Sequence, residues 1–586
     1  MASLLAWMMA CLRVHPSGFY AWLKEMYNDK FLVNKYMNGD DALELVNMED
    51  YPDMYWFEAP MAYNASPFFA QQGALYTNRA VAQEALELIA YIVRNNLPFT
   101  DIVAADYTVV NPYSAIAYGV QDQVTFEDPT DATEFHKVKL PGVPHAGVMT
   151  APLFLNRFPT TATNRNRHRS RIIWDFFLAT DVMKLAARPI DPTSIEDHNP
   201  TMFNADCSVC HATIDPIAGC FQNWTASGRY LPPEEGWHSD MLPPGFGEDI
   251  IPYEGRFEAV SWLGKRIASD TRFVTAVVRT AYEGLLGQKV LAPPGTGEDD
   301  GDAMVDQETL LAQSKAYDAQ QAVLTAIGEK FVESGYDYRV VIKGLIMSPY
   351  FRVVDASEEV ITNRANEITD LGSARLATPE MLHRRIIAAT GYPWRASAFG
   401  TNFLLSNNEF RIFFGGIDSD NVTKRITVPN GLMTSVADRM ATEVSCRSVA
   451  RDFSIVRHER HLFPFAEPTY SPADANGFPV PQAEEAIKEN IRYLHWRILG
   501  EDVQRTSPEV DNTFQLFYAV WKDGRAAVAA GEEPTALPQA CQSTHEYWTA
   551  EQLPADRQVI QDPNYVVRSW MAVVTYLLSD YRFLYE

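Results

Sequence analysis

Cysteine is scarce in this chain, 6 in 586 residues, which excludes a fold held by a dense disulfide framework. No stretch approaches the roughly 18 uninterrupted apolar residues of a membrane-crossing helix, so no span is expected. Basic side chains are outnumbered, 49 against 75 acidic ones, and the net charge of −26 argues against nucleic acid as a partner. Lys and Arg are also missing ahead of the apolar opening residues Leu4, Leu5, Trp7, Met8 and Met9, which makes a poor export signal. Ala10-Cys11 is only a faint lipoprotein-type cleavage site, and an amphipathic first helix is the plainer reading. Gly-x-Ser-x-Gly, a phosphate-binding Gly/Lys loop and a His-Glu-x-x-His helix are all absent, and the chemistries they carry have no other support.

The feature that is present and dictates a chemistry is Cys207-Ser208-Val209-Cys210-His211. The S–H bonds of two thiols three positions apart add across the two vinyl groups of one haem, and the next histidine is held under the iron. A bare Cys-x-x-Cys also serves thioredoxin-like redox pairs and zinc sites. The redox pair wants a preceding buried strand and a following helix, but the flanks read Asn204-Ala205-Asp206 and Ile214-Asp215-Pro216-Ile217. Zinc wants a second close ligand pair, and Cys220 with His238 is a poor one. The expectation is therefore one haem c per chain, bound by Cys207 and Cys210. His211 is its proximal iron ligand, with the other ring nitrogen donating to a backbone carbonyl.

For the distal position Met241 is the first choice, thirty residues beyond His211 on a loop stiffened by Pro243 and Pro244. A thioether there favours reduced iron. His238 would give bis-histidine iron; Met202 and His198 are further candidates. An open sixth position beneath His145, His168 or His238 would admit peroxide or oxygen chemistry. Arg165, Arg167, Arg169 and Arg171 form a basic run in an acidic chain, suited to haem propionates or, the favoured reading, to local carboxylates in a structural role. Residues 415–421 offer oxygen donors for calcium but lack the acidic twelfth position of an EF-hand, so an Asx-turn is the better reading. Cys446 and Cys541 are read either as one bridge or as buried free thiols.

The length implies two to four domains. Val81, Ala85, Leu88, Ile89, Ile92 and Val93 recur at helical spacing and predict a helix over 79–96. Further helices are predicted over 168–185, 257–286, 307–348, 485–498 and 569–584, and one starting at Pro379. Residues 106–147 read as long ordered loops, 197–247 as a Pro- and Gly-rich segment of little periodicity suited to wrapping a haem, and Asp299, Asp300 and Asp302 as an exposed acidic loop. The fold class expected is mainly α: a multidomain helical protein with long ordered loops and a small embedded cytochrome c-like haem domain. The expected domains are 1–160 (helical, N-terminal), 161–250 (haem c-binding), 251–370 (helical) and 371–586 (helical, C-terminal).

Around the motif the chain resembles the modular cytochrome c proteins abundant in planctomycetes and also found in myxobacteria and other bacteria. In that family the haem segment runs from Cys-x-x-Cys-His through Asp-Pro-Leu/Ile-Gly-Phe to an aromatic before a glycine. Cys207, Cys210 and His211 match in full, Asp215-Pro216-Ile217 closely, and Trp224 with Gly228-Arg229-Tyr230 matches the tail. Ala218-Gly219 stands where Gly-Phe is usual, and Gln222 and Thr225 stand where acids are common. More loosely, 165–177 is similar to the arginine-rich helix before the haem segment, and 331–351 to a helix ending in Ser-Pro and an aromatic. The resemblance implies an exported, mostly helical cytochrome and supplies no enzymatic reaction.

The function expected is that of a periplasmic or otherwise extracytoplasmic mono-haem c-type cytochrome subunit, moving single electrons within a larger assembly. Its targeting segment is expected outside the chain, or its export through a partner. The alternatives are a haem peroxidase or oxygenase with an open distal site, and a structural subunit stabilised by its haem. The partners expected are another redox protein or subunits of a complex, with homo-oligomers and peripheral membrane association left open.

Overall fold

A computed structural model describes residues 16–37, 39, 41–46, 49–185, 200–231, 237–294, 306–353, 356–368, 375–397, 400–474 and 476–585. The apolar opening residues, Cys11, His198, Asp299, Asp300 and Asp302 lie outside the described residues. The chain is mainly helical and divides into two units, Met1–Ser373 with Ser419–Thr423, and Ala374–Asp418 with Lys424–Glu586. Among the described residues no helix is long and apolar enough to cross a membrane.

In the first unit the principal helices are α1 Pro16–Phe31, α2 Gly73–Ala82, α3 Glu84–Arg94, α4 Arg167–Leu178, α5 Ala205–Cys220, α6 Ala259–Ser269, α7 Thr271–Leu286, α8 Gln307–Glu333 and α9 Tyr338–Met347. Two short antiparallel ribbons join them: β1 Thr108–Val110 with β2 His136–Val138, in register at Val109 and Lys137, and β3 Gly245–Phe246 with β4 Asp249–Ile250. The helix predicted over 79–96 is two helices, because Gln83 leaves helical geometry and its side-chain amide donates to Asn34 Oδ1 at 2.8 Å. α3 is buried on nearly all sides, including Leu86, Leu88, Ile89, Ile92 and Val93. Its first residue, Glu84, is buried too and accepts from the hydroxyls of Thr108 and Tyr118. The stretches read as separate domains, 1–160, 161–250 and 251–370, share one hydrophobic core, from Leu23 through Ile89, Trp174 and Ile217 to Phe331 and Leu345.

The second unit is built on α10 Pro379–Thr390, α11 Gly431–Ser454, α12 Pro481–Leu494, α13 Pro508–Ala530 and α14 Val566–Leu578. Thr378 caps α10 through Met381 N–H, Pro379 opens it, and Gly391 closes it in the left-handed conformation. α14 packs on α11 and α13, burying Trp570, Val573, Val574 and Leu577. Cys446 on α11 is bonded to Cys541, so the bridged reading of that pair is the observed one.

Candidate functional site

The cysteine pair lies on α5, a helix that the apolar spacing of residues 197–247 does not announce. Its first turn is tied down by Asn204, whose side-chain oxygen accepts from Cys207 N–H at 3.2 Å. Pro216 has no N–H to close its own turn, yet the helix runs on to Cys220. The preceding helix holds this stretch: Trp174 Nε1 donates to Thr213 O at 3.1 Å and Ser170 Oγ to Ile214 O at 2.7 Å. Helical pitch then sets Cys207, Cys210 and His211, at i, i+3 and i+4, on one face. Both thiols are free and half-buried, and Cys210 Sγ sits 3.4 Å from Val182 O.

His211 differs from the expectation of a backbone acceptor. Its Nδ1 is 2.9 Å from Oδ1 of Asp215, one turn on in the same helix. Asp215 is fully buried and receives Arg167 at both oxygens, Nε to Oδ1 at 2.7 Å and the terminal nitrogen to Oδ2 at 3.2 Å. Burial by itself would raise this carboxyl; the bonds from His211 and Arg167 outweigh it and hold Asp215 below the ordinary carboxylate range. A buried acceptor on Nδ1 leaves Nε2 as the ring nitrogen for a ligand.

The four arginines part ways. Arg167 belongs to Asp215, and Arg165 pairs with Asp240 at 2.6 Å. Arg169 is buried and gives its donors to the carbonyls of Phe158, Trp224, Leu155 and Thr225 and to Asn166 Oδ1, so it has none left for a propionate. Arg171 is exposed, with no hydrogen bond or ion pair among the described residues.

The loop 237–244 is laid against the end of α5. A Cβ on Gly219 would stand 2.8 Å from Pro244 Cγ, so the glycine is what admits this loop. Met241 is buried at 3 % exposure, with its N–H on His238 O at 3.2 Å. His238 feels partial burial first and then the positive charges of Arg165 and Arg167, which together push its pKa down. His145 and His168 are occupied elsewhere. His145 is a buried core residue whose Nε2 accepts Leu140 N–H at 3.0 Å, and His168 meets the Phe158 ring edge-on at 5.6 Å, on a different face of α4 from Arg167, Ser170 and Trp174. Met202 lies in the short helix Pro200–Phe203 just before α5.

The donor set fits a covalently held haem: two thiols outside any disulfide and an imidazole on one helix face, with the ring fixed from behind. The segments packed on α5 also carry exposed apolar side chains, Phe203 at 75 %, Met183 at 58 % and Leu185 at 41 %, suited to the edge of an apolar macrocycle. Zinc fits less well. Cys220 is buried, its thiol pushed up to about 12 by that burial, and among the described residues no group of three or more His, Cys, Asp or Glu is arranged to hold a metal ion. The turn considered for calcium spends Ser419 Oγ on Asn28 Nδ2 at 3.0 Å and Asp420 on Lys35 at 3.0 Å.

Sequence reading missed Asp215 as the partner of His211, although its i+4 spacing was there to be read. It also missed Asn204 as the helix cap. Compared with known proteins, the chain matches no family model, no curated protein and no solved structure.

Proposed function

We propose that the protein is an extracytoplasmic mono-haem c-type cytochrome subunit that passes single electrons within a larger assembly. The observation that carries the reading is the helical face of Cys207, Cys210 and His211, with Nδ1 of His211 committed to Asp215. A haem bound there supplies a one-electron iron couple. Cys207 and Cys210 anchor the ring through thioethers, His211 offers Nε2, and Asp215 with Arg167 keeps the imidazole from turning. Met241 is the proposed distal ligand. Its burial beside the end of α5, on the loop held by Pro243 and Pro244, supports that assignment. The Cys446–Cys541 bond supports an oxidising compartment.

The test is expression alongside a haem c maturation system, followed by a pyridine haemochrome assay and optical and near-infrared spectroscopy. The expected result is one covalent haem per chain, lost in the Cys207→Ser, Cys210→Ser double variant. Low-spin ferric iron with a sulfur-to-iron charge-transfer band, abolished by Met241→Ala, supports electron transfer. High-spin iron that binds cyanide replaces this reading with a ligand-activating enzyme, and absence of covalent haem overturns both.

A further inference from the structure

The acceptor behind His211 is a buried carboxylate, and that has a chemical consequence of its own. A neutral imidazole carries one N–H. With Nδ1 at 2.9 Å from Asp215 Oδ1, the proton belongs on Nδ1 and the lone pair on Nε2. A carboxylate draws on that proton more strongly than a neutral carbonyl does, because a charged acceptor makes the stronger hydrogen bond. The imidazole therefore gains anionic character, and Nε2 becomes a better electron donor.

The carboxylate has little freedom to do otherwise. It is wholly buried, and Arg167 grips both oxygens. α4, which carries Arg167, is fastened to the α5 backbone just before Asp215 by Ser170 and Trp174, which donate to Ile214 O and Thr213 O. Arg167 also limits the effect, since its Nε shares Oδ1 with His211.

We infer that Asp215 is a positioning residue that strengthens His211 Nε2 as a donor and so biases iron bound there toward the oxidised state, with Arg167 as the brake. The inference rests on His211 being the iron ligand.

The experiment uses full-length haem-loaded protein and the variants Asp215→Asn, Asp215→Glu, Arg167→Gln and, as a control, Asp240→Asn. Haem content is measured first, then the midpoint potential. The Fe–His stretching band is then read in the ferrous protein after photolysis of bound carbon monoxide. Asp215→Asn should keep its haem, shift the potential positive and lower the Fe–His frequency. Asp215→Glu should recover part of both shifts, and Arg167→Gln should move both the opposite way. Asp240→Asn should leave the Fe–His band where it is.

Haem-loaded Asp215→Asn with an unmoved Fe–His band overturns the inference, as does a potential shift matched by Asp240→Asn, which is simple loss of a nearby charge. If Asp215→Asn does not fold, the Arg167→Gln shift decides alone. If the wild-type chain takes up no haem, the cytochrome reading fails separately. The nitrogen chemical shifts of His211 in the haem-free protein then decide the Asp215 relationship: a proton on Nδ1 in the wild type, redistributed in Asp215→Asn, upholds it, and no change overturns it.

Discussion

Arg169 donates to the carbonyl of Trp224 at 3.0 Å, joining α4 to the chain four residues beyond the end of α5. The same guanidinium reaches Thr225, Phe158 and Leu155, so one buried cation satisfies carbonyls from both sides of the cysteine helix. Burial lowers its pKa to about 9, which still leaves it charged at neutral pH.

Arg169→Met should therefore cost about 3–5 kcal/mol, because it strands several buried acceptors at once. Arg169→Lys, with three donors and no planar fork, should recover only part of that. Denaturant titrations at unchanged slope measure both; a loss below about 1 kcal/mol would show that water replaces the guanidinium.

His145 predicts a pH dependence. Because its Nε2 accepts Leu140 N–H inside the core, the neutral ring is the folded form, and burial depresses its pKa from 6.5 to about 4. The unfolded chain binds the proton first as pH falls. The stabilisation is thus complete above about pH 6.5 and is lost as pH falls toward 4, by about 3 kcal/mol in all. His145→Gln keeps an acceptor but no titrating ring, so its stability should fall less steeply across that window. Parallel slopes would assign the acid sensitivity to other groups.

Gly219→Ala sets two effects against each other. Alanine favours a helix by about 1 kcal/mol over glycine, but its Cβ would stand 2.8 Å from Pro244 Cγ and 2.9 Å from Pro244 Cα. The close approach should win, lifting the loop 237–244 away from α5. Amide hydrogen exchange should rise at Met241, whose N–H now bonds His238 O, with little change in α4. Unchanged exchange at Met241 would mean that the loop slides without detaching.

What was legible in the sequence follows from how each element is stabilised. α10 was readable because Pro379 punctuates its start in a form that physics makes nearly compulsory. α11 went unread over its 24 residues because Ala437, Ala441, Ser445, Ser448 and Ala450 are interleaved with Met433, Val436, Met440, Val444 and Phe453 on its buried face and dilute the apolar contrast. α13 buries Phe514, Phe517 and Trp521, but Gly524 interrupts the pattern where the Tyr565 ring packs too closely for any Cβ. α5 was illegible as a helix because the side chains of α4 secure its backbone. The chemistry of Cys207, Cys210 and His211 was readable from spacing alone. Asp215 and Arg167 were not paired in advance, since the second lies 48 residues earlier and only the fold brings it there.

The Cys446–Cys541 bond also has a mechanical meaning. It closes a span of 95 residues in the second unit. Tension applied through residues outside that span would pass across the sulfurs rather than along the enclosed chain. α12 and α13 lie wholly inside it, whereas α10 and α14 lie outside. At roughly 3.5 Å per extended residue, about 330 Å of chain would be withheld from a pulling experiment until the bond is reduced. A reductant would then act on this unit as a change in length under load, releasing two shielded helices in a single step.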